Sequence, residues 1–116
     1  MLEKLFNRKK KAKEKPVRNF WKDFEERIDL YLNIISGDEE DSDDYLWMLG
    51  LIRKGLKMCC LDSTVGFDFR IEKGRDPIRF VFVHGNDAYL KDVGALLEAN
   101  YPASLSGKIQ FAAAEL

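Results

Sequence analysis

The hydrophobic period of this chain changes at Thr64, and that change constrains the fold more than any other feature. Between residues 20 and 59, apolar side chains recur at steps of three and four, the period of an amphipathic α-helix. After Thr64, apolar residues instead alternate with polar or glycine positions, the period of a strand with one buried face. The sequence therefore predicts an α+β domain in which two helices precede the strands.

The first helix is predicted over about 17 residues starting at Phe20. Asn19 is the expected N-cap, and Gly37 stands where a left-handed glycine ends many helices. Pro16 is expected to end any earlier helix near Lys15, because the residue before a proline disfavours the helical conformation.

A second helix is predicted from Tyr45 to Cys59, antiparallel to the first. Gly50 and Gly55 each weaken this helix by about 1 kcal/mol relative to alanine. The alternative interpretation is that the two glycines mark close packing against the first helix. Cys59 and Cys60 are adjacent, lack the spacing of a zinc site and are predicted to include at least one small buried hydrophobe.

Two strands, a third helix and a last strand complete the chain. The second strand is apolar on both faces near Phe82, so it is expected in the interior of the sheet, and Asn86 or Asp87 is expected to cap the third helix. The predicted fold is a two-layer α+β sandwich of order α-α-β-β-α-β, with helices on one face of a mostly antiparallel three-stranded sheet. The phenylalanines of the first two strands are interpreted as core; a base-stacking platform for nucleic acid is the alternative.

Charge divides the chain into two parts. The 116 residues carry a net charge of −1, but residues 1–18 hold +6 and residues 19–116 hold −7. We therefore expect a flexible basic arm over 1–18 and one acidic domain over 19–116. The arm is either a solubilising terminus or a device for docking to a membrane surface or nucleic acid, through the cations Arg8, Lys9, Lys10 and Lys11.

Six carboxylates crowd the seven residues between the first two helices, here called the acidic segment (residues 38–44). They are Asp38, Glu39, Glu40, Asp41, Asp43 and Asp44. A calcium loop is one interpretation, but Tyr45 and Leu46 stand where the spacing of an EF-hand requires a ligand and a glycine. The favoured interpretation is a solvated loop that binds a protein partner, with Ser42 or Asp41 as the N-cap of the second helix.

One further segment has the residues of a candidate site. His84, Gly85 and Asn86 link the second strand to the third helix, a position suited to an anion or an acid/base group. A single histidine without a nucleophile or a second metal ligand predicts no catalytic residue, metal or cofactor. The alternative is a turn in which Gly85 supplies the conformation and a neighbour caps the helix.

The chain resembles a family of small bacterial α+β domains of unknown function. The resemblance rests on the aromatic start of the first helix (Phe20-Trp21-Lys22-Asp23-Phe24), the strand with Val65-Gly66-Phe67, and Tyr101-Pro102 after the third helix. The resemblance covers about residues 20–112 and implies an α+β sandwich without established catalytic residues. The last strand, opening at Gly107-Lys108-Ile109, departs from the family's pattern of a tryptophan there.

The function expected from the sequence is a non-catalytic protein-interaction domain, similar to small acidic inhibitor or immunity proteins that mask basic enzymes. Docking of the basic arm is the second hypothesis, and an enzyme that uses His84 is the third. The start of the chain lacks a secretory signal pattern and no apolar stretch is long enough for a membrane helix, so a cytoplasmic location is expected. A homodimer through a sheet edge is a further expectation.

Overall fold

The element order is α-α-β-β-α-β over residues 11–116, the part of the chain that the computed structural model describes. This confirms the predicted α+β fold. The elements are α1 (Glu14–Gly37), α2 (Asp43–Cys59), β1 (Asp68–Glu72), β2 (Ile78–Val83), α3 (Ala88–Ala99) and β3 (Ile109–Ala114), with a 3₁₀ turn at Ala103–Leu105 before β3.

The sheet of the described chain has the strand order β1-β2-β3, so β2 is central as predicted. The hairpin β1–β2 is antiparallel. The pair β2–β3 is parallel, because α3 carries the chain back before β3 begins. The sheet is therefore mixed, and the expected antiparallel pairing applies to one of its two strand pairs.

The register places one row of apolar residues on a single face of the sheet. Phe80 lies opposite Ile71 and Phe111, and Phe82 lies opposite Phe69 and Ala113. All three helices pack on this face. The rings of Phe20, Trp21 and Phe24 in α1 contact Phe80, Arg53 of α2 lies over the Phe69 ring, and Gly94 of α3 approaches Phe82.

Phe80 is the centre of the aromatic core. Its side chain is 1% exposed, and it stacks on Phe24 with ring centroids 5.6 Å apart and an interplanar angle of 13°. Phe82 is also fully buried, at 0% exposure. Because the helices cover these rings, this face is core as predicted and offers no stacking platform for nucleic acid.

Helix α1 begins at Glu14, five residues before the predicted N-cap. Asn19 lies inside the helix, and Lys13 occupies the N-cap position without a side-chain hydrogen bond. The prediction that Pro16 ends a helix is wrong because Pro16 lies in the first turn, where a backbone N–H has no partner within the helix in any case. Val17 is fully buried, so residues 14–18 of the expected arm belong to α1.

The predictions for the glycines of α1 and α2 are confirmed at one position and wrong at two. Gly37 is the last residue of α1 and does not have the predicted left-handed conformation. A Cβ built on Gly55 would lie 2.8 Å from Cδ1 of Phe20, which confirms close packing between α2 and α1 at this position. Gly50 is exposed and a Cβ there would meet nothing within 4 Å, so the same role is wrong for Gly50.

Two buried side-chain hydrogen bonds join α3 to the helical hairpin. The indole N–H of Trp21 donates to the carbonyl of Leu97 over 2.9 Å. The hydroxyl of Tyr89 donates to the carbonyl of Cys59 over 3.5 Å, at the end of α2. Because buried polar groups are costly when unpaired, these contacts favour one relative placement of the helices.

Candidate interaction surfaces

The acidic segment (residues 38–44) joins α1 to α2 at one end of the helical hairpin. Asp38 is half-buried, and the other five carboxylate residues are exposed. Among residues 11–116, one ion pair involves the segment, that of Glu40 with Lys73 at 3.8 Å, and the Glu40 side chain remains 71% exposed in it. The segment therefore presents a dense negative charge to solvent that the described chain neutralises very little.

Ser42 is the N-cap of α2, one of the two predicted residues. Its hydroxyl oxygen accepts a hydrogen bond from the backbone N–H of Tyr45 over 3.2 Å. Asp43 and Asp44 occupy the first turn, where their charges favour the positive end of the helix. Capping and dipole effects account for these three residues, and they leave Glu39, Glu40 and Asp41 without a role in the helix.

No group of three or more histidine, cysteine or acidic side chains in residues 11–116 is arranged to hold a metal ion. The carboxylates of the acidic segment therefore do not converge on a common point.

Helix α2 carries a second stripe on its solvent side, which the sequence analysis did not identify. Trp47, Leu51, Lys54 and Met58 follow one another at steps of four, three and four residues, and they fall within about 60° around the helix axis. Trp47 is 50% exposed and Met58 is 55% exposed. We call these four residues the outer stripe of α2. A helical wheel could have found it, because Trp47 lies off the buried stripe that begins at Tyr45.

A groove of about 280 Å³ runs between α1 and α2 beside the outer stripe. Phe20, Phe24 and Gly55 line its apolar part, and Arg27 and Lys54 bring cations to it. The absence of a side chain at Gly55 keeps the two helices close at this point. The groove is open to solvent and holds a mixed set of charges, with Asp23 on the same wall as Arg27.

The turn at His84, Gly85 and Asn86 has the geometry of a helix entry. Gly85 and Asn86 both adopt positive φ angles, 60° and 65°. Asp87, one of the two predicted caps, is the N-cap of α3, and its carboxylate accepts a hydrogen bond from the backbone N–H of Leu90 over 3.0 Å. A negative side chain thus already occupies the position that an anion would take at this helix end.

His84 is half-buried, and its Nδ1 accepts a hydrogen bond from the backbone N–H of Asn86 over 2.9 Å. The amide oxygen of Asn86 accepts in turn from the ammonium of Lys91 over 3.0 Å. Within the described chain, these contacts hold the turn together and give His84 no nucleophile or carboxylate partner. The arrangement favours the turn interpretation over an acid/base site.

Cys59 and Cys60 are both free thiols and both buried, as predicted for at least one of them. Burial raises the pKa of each thiol to about 12. A thiol in this state is a poor nucleophile at neutral pH, because the reactive form is the thiolate. The pair therefore belongs to the core of the helical hairpin rather than to a reactive site.

The sheet face opposite the helices carries a small ionic network. The guanidinium groups of Arg70 and Arg79 donate to the two carboxylate oxygens of Glu72 over 3.0 Å and 2.7 Å. These bonds hold the pKa of Glu72 below its usual value. Because the network pairs its own charges on an exposed surface, it is expected to stabilise the hairpin by a small amount only.

The expected basic arm lies mostly outside the described residues, including Arg8, Lys9 and Lys10. Lys11, Lys13 and Lys15 are described and exposed. No helix in the range 11–116 is long and apolar enough to cross a bilayer. Lys13 and Lys15 lie at the start of α1, and Lys11 precedes it.

Comparison with protein-family models, curated proteins and solved structures finds no match to this chain. The resemblance to small bacterial α+β domains therefore stays a prediction, and the functional argument rests on the surfaces described above.

Proposed function

We propose that this chain is a non-catalytic protein-interaction domain whose acidic segment binds a basic partner protein. The observation that carries the proposal is the exposure of Glu39, Glu40 and Asp41. These carboxylates make no contribution to the cap of α2, and Glu40 alone has a cation nearby in the described chain.

Charge supports a basic partner. Residues 19–116 carry a net charge of −7, and the acidic segment concentrates six negative charges in seven residues. Such a field steers a positively charged protein toward the segment and raises the association rate, in a manner that salt weakens. Small acidic inhibitor and immunity proteins bind basic enzymes by the same principle, which is an analogy of charge and not of fold.

Affinity capture from an extract of the source cells tests the proposal. The bait is the full chain, compared with a variant in which Glu39→Gln, Glu40→Gln and Asp41→Asn remove three charges at nearly constant size. A matched control removes three exposed carboxylates elsewhere, through Glu26→Gln, Asp92→Asn and Glu98→Gln. We expect a basic protein to be captured by the wild type and by the control variant, to elute with salt, and to be lost with the acidic-segment variant.

Equal capture by all three baits would contradict the proposal, because the acidic segment would then be irrelevant. Equal loss with both variants would also contradict it, since net charge alone would then explain the binding. Calorimetric titration with calcium distinguishes the metal alternative. We expect no affinity tighter than about 10⁻⁴ M, because the ligand geometry of a calcium sensor is missing.

A second candidate function is docking of the basic arm to an anionic lipid surface. It is favoured by one observation, that Lys15 and the exposed side chain of Met58 line the same surface hollow at the start of α1. Cations next to exposed apolar side chains are typical of proteins that lie on a membrane surface. Sedimentation with vesicles that contain phosphatidylserine, compared with vesicles of phosphatidylcholine alone, tests it. Lys9→Glu, Lys10→Glu and Lys11→Glu together should abolish sedimentation with the anionic vesicles, and unchanged sedimentation would contradict the candidate.

A further inference from the structure

The two edge strands of the described sheet differ in charge. β1 carries alternating charges at Asp68, Arg70 and Glu72, and both acidic residues are in ion pairs. β3 (Ile109–Ala114) contains neither a charged residue nor a proline. Charges and prolines are among the features that keep an edge strand from pairing with another chain. The edge at β3 therefore lacks the protection that the edge at β1 has.

The backbone of β3 presents one set of hydrogen-bonding groups to β2 and a second set outward. The carbonyl of Ala114 accepts a hydrogen bond from the N–H of His84, just beyond β2, over 2.9 Å. In a parallel ladder, both backbone groups of every second residue point to the same neighbour, so Ala112 also bonds to β2. The alternate residues, Phe111 and Ala113, point their N–H and C=O groups away from β2. No other hydrogen bond within the described chain reaches these groups.

This outward set is bounded on both sides by contacts of the chain itself. Before it, the hydroxyl of Tyr101 donates to the carbonyl of Ile109. After it, the carbonyl of Glu115 accepts a hydrogen bond from the N–H of Gly85 over 3.2 Å, so the backbone has turned back toward β2. The four groups that the described chain leaves unpaired between these contacts lie symmetrically about Ala112.

We propose that β3 pairs with β3 of a second copy of this chain, antiparallel about a two-fold axis between the two Ala112 residues. Symmetry selects this occupant and this register. A two-fold axis that relates two antiparallel neighbouring strands is perpendicular to the sheet, so both copies keep their helices on one face. Phe111 of each copy then lies opposite Ala113 of the other, and such a pair exchanges both of its N–H···O bonds. All the outward groups of both residues are thereby paired.

The side chains suit the same register. On the helical face, the large ring of Phe111 lies beside the small side chain of Ala113 from the other copy. On the opposite face, Gln110 lies beside Ala114 in the same way. The two Ala112 residues form a non-hydrogen-bonded pair, in which Cα atoms are only about 4.5 Å apart. No like charges meet along the paired strands, because β3 has no charged residue.

The dimer goes beyond the proposed function and leaves the acidic segment free. Lys73, directly after β1, is the cation that pairs with Glu40, so the segment lies toward the β1 side of the sheet. Joining two copies through β3 gives a six-stranded sheet with one acidic segment toward each outer edge. A ladder of four hydrogen bonds is short, and we expect a dissociation constant in the micromolar range.

Sedimentation equilibrium of the full chain, from about 1 to 300 μM, tests the proposal. The wild type should pass from monomer to dimer in this range. Ala112→Lys alone and Ala112→Glu alone should each weaken association about fivefold or more, because like charges then lie directly opposite one another at the axis. An equimolar mixture of the two variants should restore the dimer, since opposite charges then meet. Lys22→Glu, at an exposed position of α1, is the matched control and should leave the dimer unchanged.

Amide hydrogen exchange locates the interface without a substitution. The N–H groups of Phe111 and Ala113 should exchange more slowly at about 300 μM than at about 30 μM, because only the dimer protects them. The N–H groups of Ala112 and Ala114 bond to β2 and should be protected equally at both concentrations. Ala113→Pro removes an outward N–H, which an edge strand tolerates, so it should abolish the dimer while circular dichroism shows an intact fold.

Three results would overturn the proposal. The first is a wild type that is monomeric at about 300 μM. The second is a mixture of the two Ala112 variants that associates no more tightly than either variant alone. The third is a dimer that is insensitive to every change at Ala112 and Ala113, because its interface would then lie elsewhere, such as at the edge of β1.

Discussion

The hydrophobic pattern predicts the burial of some individual residues and not the contacts of others. Phe80 and Phe82 were expected in the core because they alternate with Arg79 and Val81, and both are buried. Gly50 and Gly55 are five residues apart and therefore lie about 140° apart around the axis of α2. Gly55 lies nearer the buried stripe and meets the Phe20 ring, whereas Gly50 meets open space, so a helical wheel separates two positions that the sequence analysis treats alike.

Removing the Phe80 side chain tests the core directly. Phe80→Ala should reduce the free energy of unfolding by about 3–5 kcal/mol, because the ring contacts α1, β1 and β3 and the surroundings can fill the cavity only in part. Urea denaturation followed by circular dichroism measures the change. A loss below about 1 kcal/mol would mean that this face of the sheet is exposed.

The two glycines of α2 should respond in opposite directions. Gly50→Ala should stabilise the monomer by about 0.5–1 kcal/mol, because it adds helix propensity without a clash. Gly55→Ala should destabilise it, since the new methyl group would push against Phe20. Denaturation at low micromolar concentration measures both, and the same sign for both variants would contradict the packing described for Gly55.

Burial of the two thiols predicts that the stability of the fold depends on pH and that labelling of the thiols requires unfolding. Burial raises the pKa of Cys59 and Cys60 to about 12 from an ordinary value of 9.0, so in this range the unfolded chain releases thiol protons that the folded chain retains. Stability is therefore expected to fall as the pH rises above about 9. At neutral pH, a disulfide reagent such as Ellman's should label the thiols in urea and leave them unlabelled in the native protein. Rapid labelling of the native protein would contradict their burial.

At the scale of elements, the types and order of the helices and strands follow from sequence, but their ends do not. The changes of hydrophobic period along the chain, of which the first is at Thr64, are enough to predict the order α-α-β-β-α-β. The start of α1 differs from the prediction because a proline in the first turn of a helix costs no internal hydrogen bond, and Val17 gains burial there. The parallel β2–β3 pair depends on the path of α3 across the sheet, which no local pattern encodes.

We expect Ser42, and not the neighbouring Asp41, to stabilise the start of α2 as its N-cap. Ser42→Ala should cost about 1 kcal/mol, because it leaves the Tyr45 N–H without its side-chain acceptor. Asp41→Ala, one residue earlier, is the matched control and should stay within about 0.5 kcal/mol of the wild type. Thermal denaturation compares the two. Equal losses would indicate that either residue caps the helix.

For the whole molecule, sequence reasoning found the acidic segment but missed the outer stripe of α2. Consecutive carboxylates are visible as a run of letters and are exposed almost regardless of the fold. A helical wheel places Trp47 off the buried stripe of α2, so its spacing could have indicated an exposed face. The wheel leaves open whether another element covers that face, and the 50% exposure of Trp47 shows that none does within the described chain.

The central claim is that Glu39, Glu40 and Asp41 of the acidic segment are present for a partner and not for the fold. The most direct test is the free energy of unfolding of the variant with Glu39→Gln, Glu40→Gln and Asp41→Asn. We expect a value within about 1 kcal/mol of the wild type, or higher, because the changes relieve mutual repulsion and remove a single exposed ion pair. A loss of more than about 2 kcal/mol would contradict the claim, because these charges would then hold the helical hairpin together.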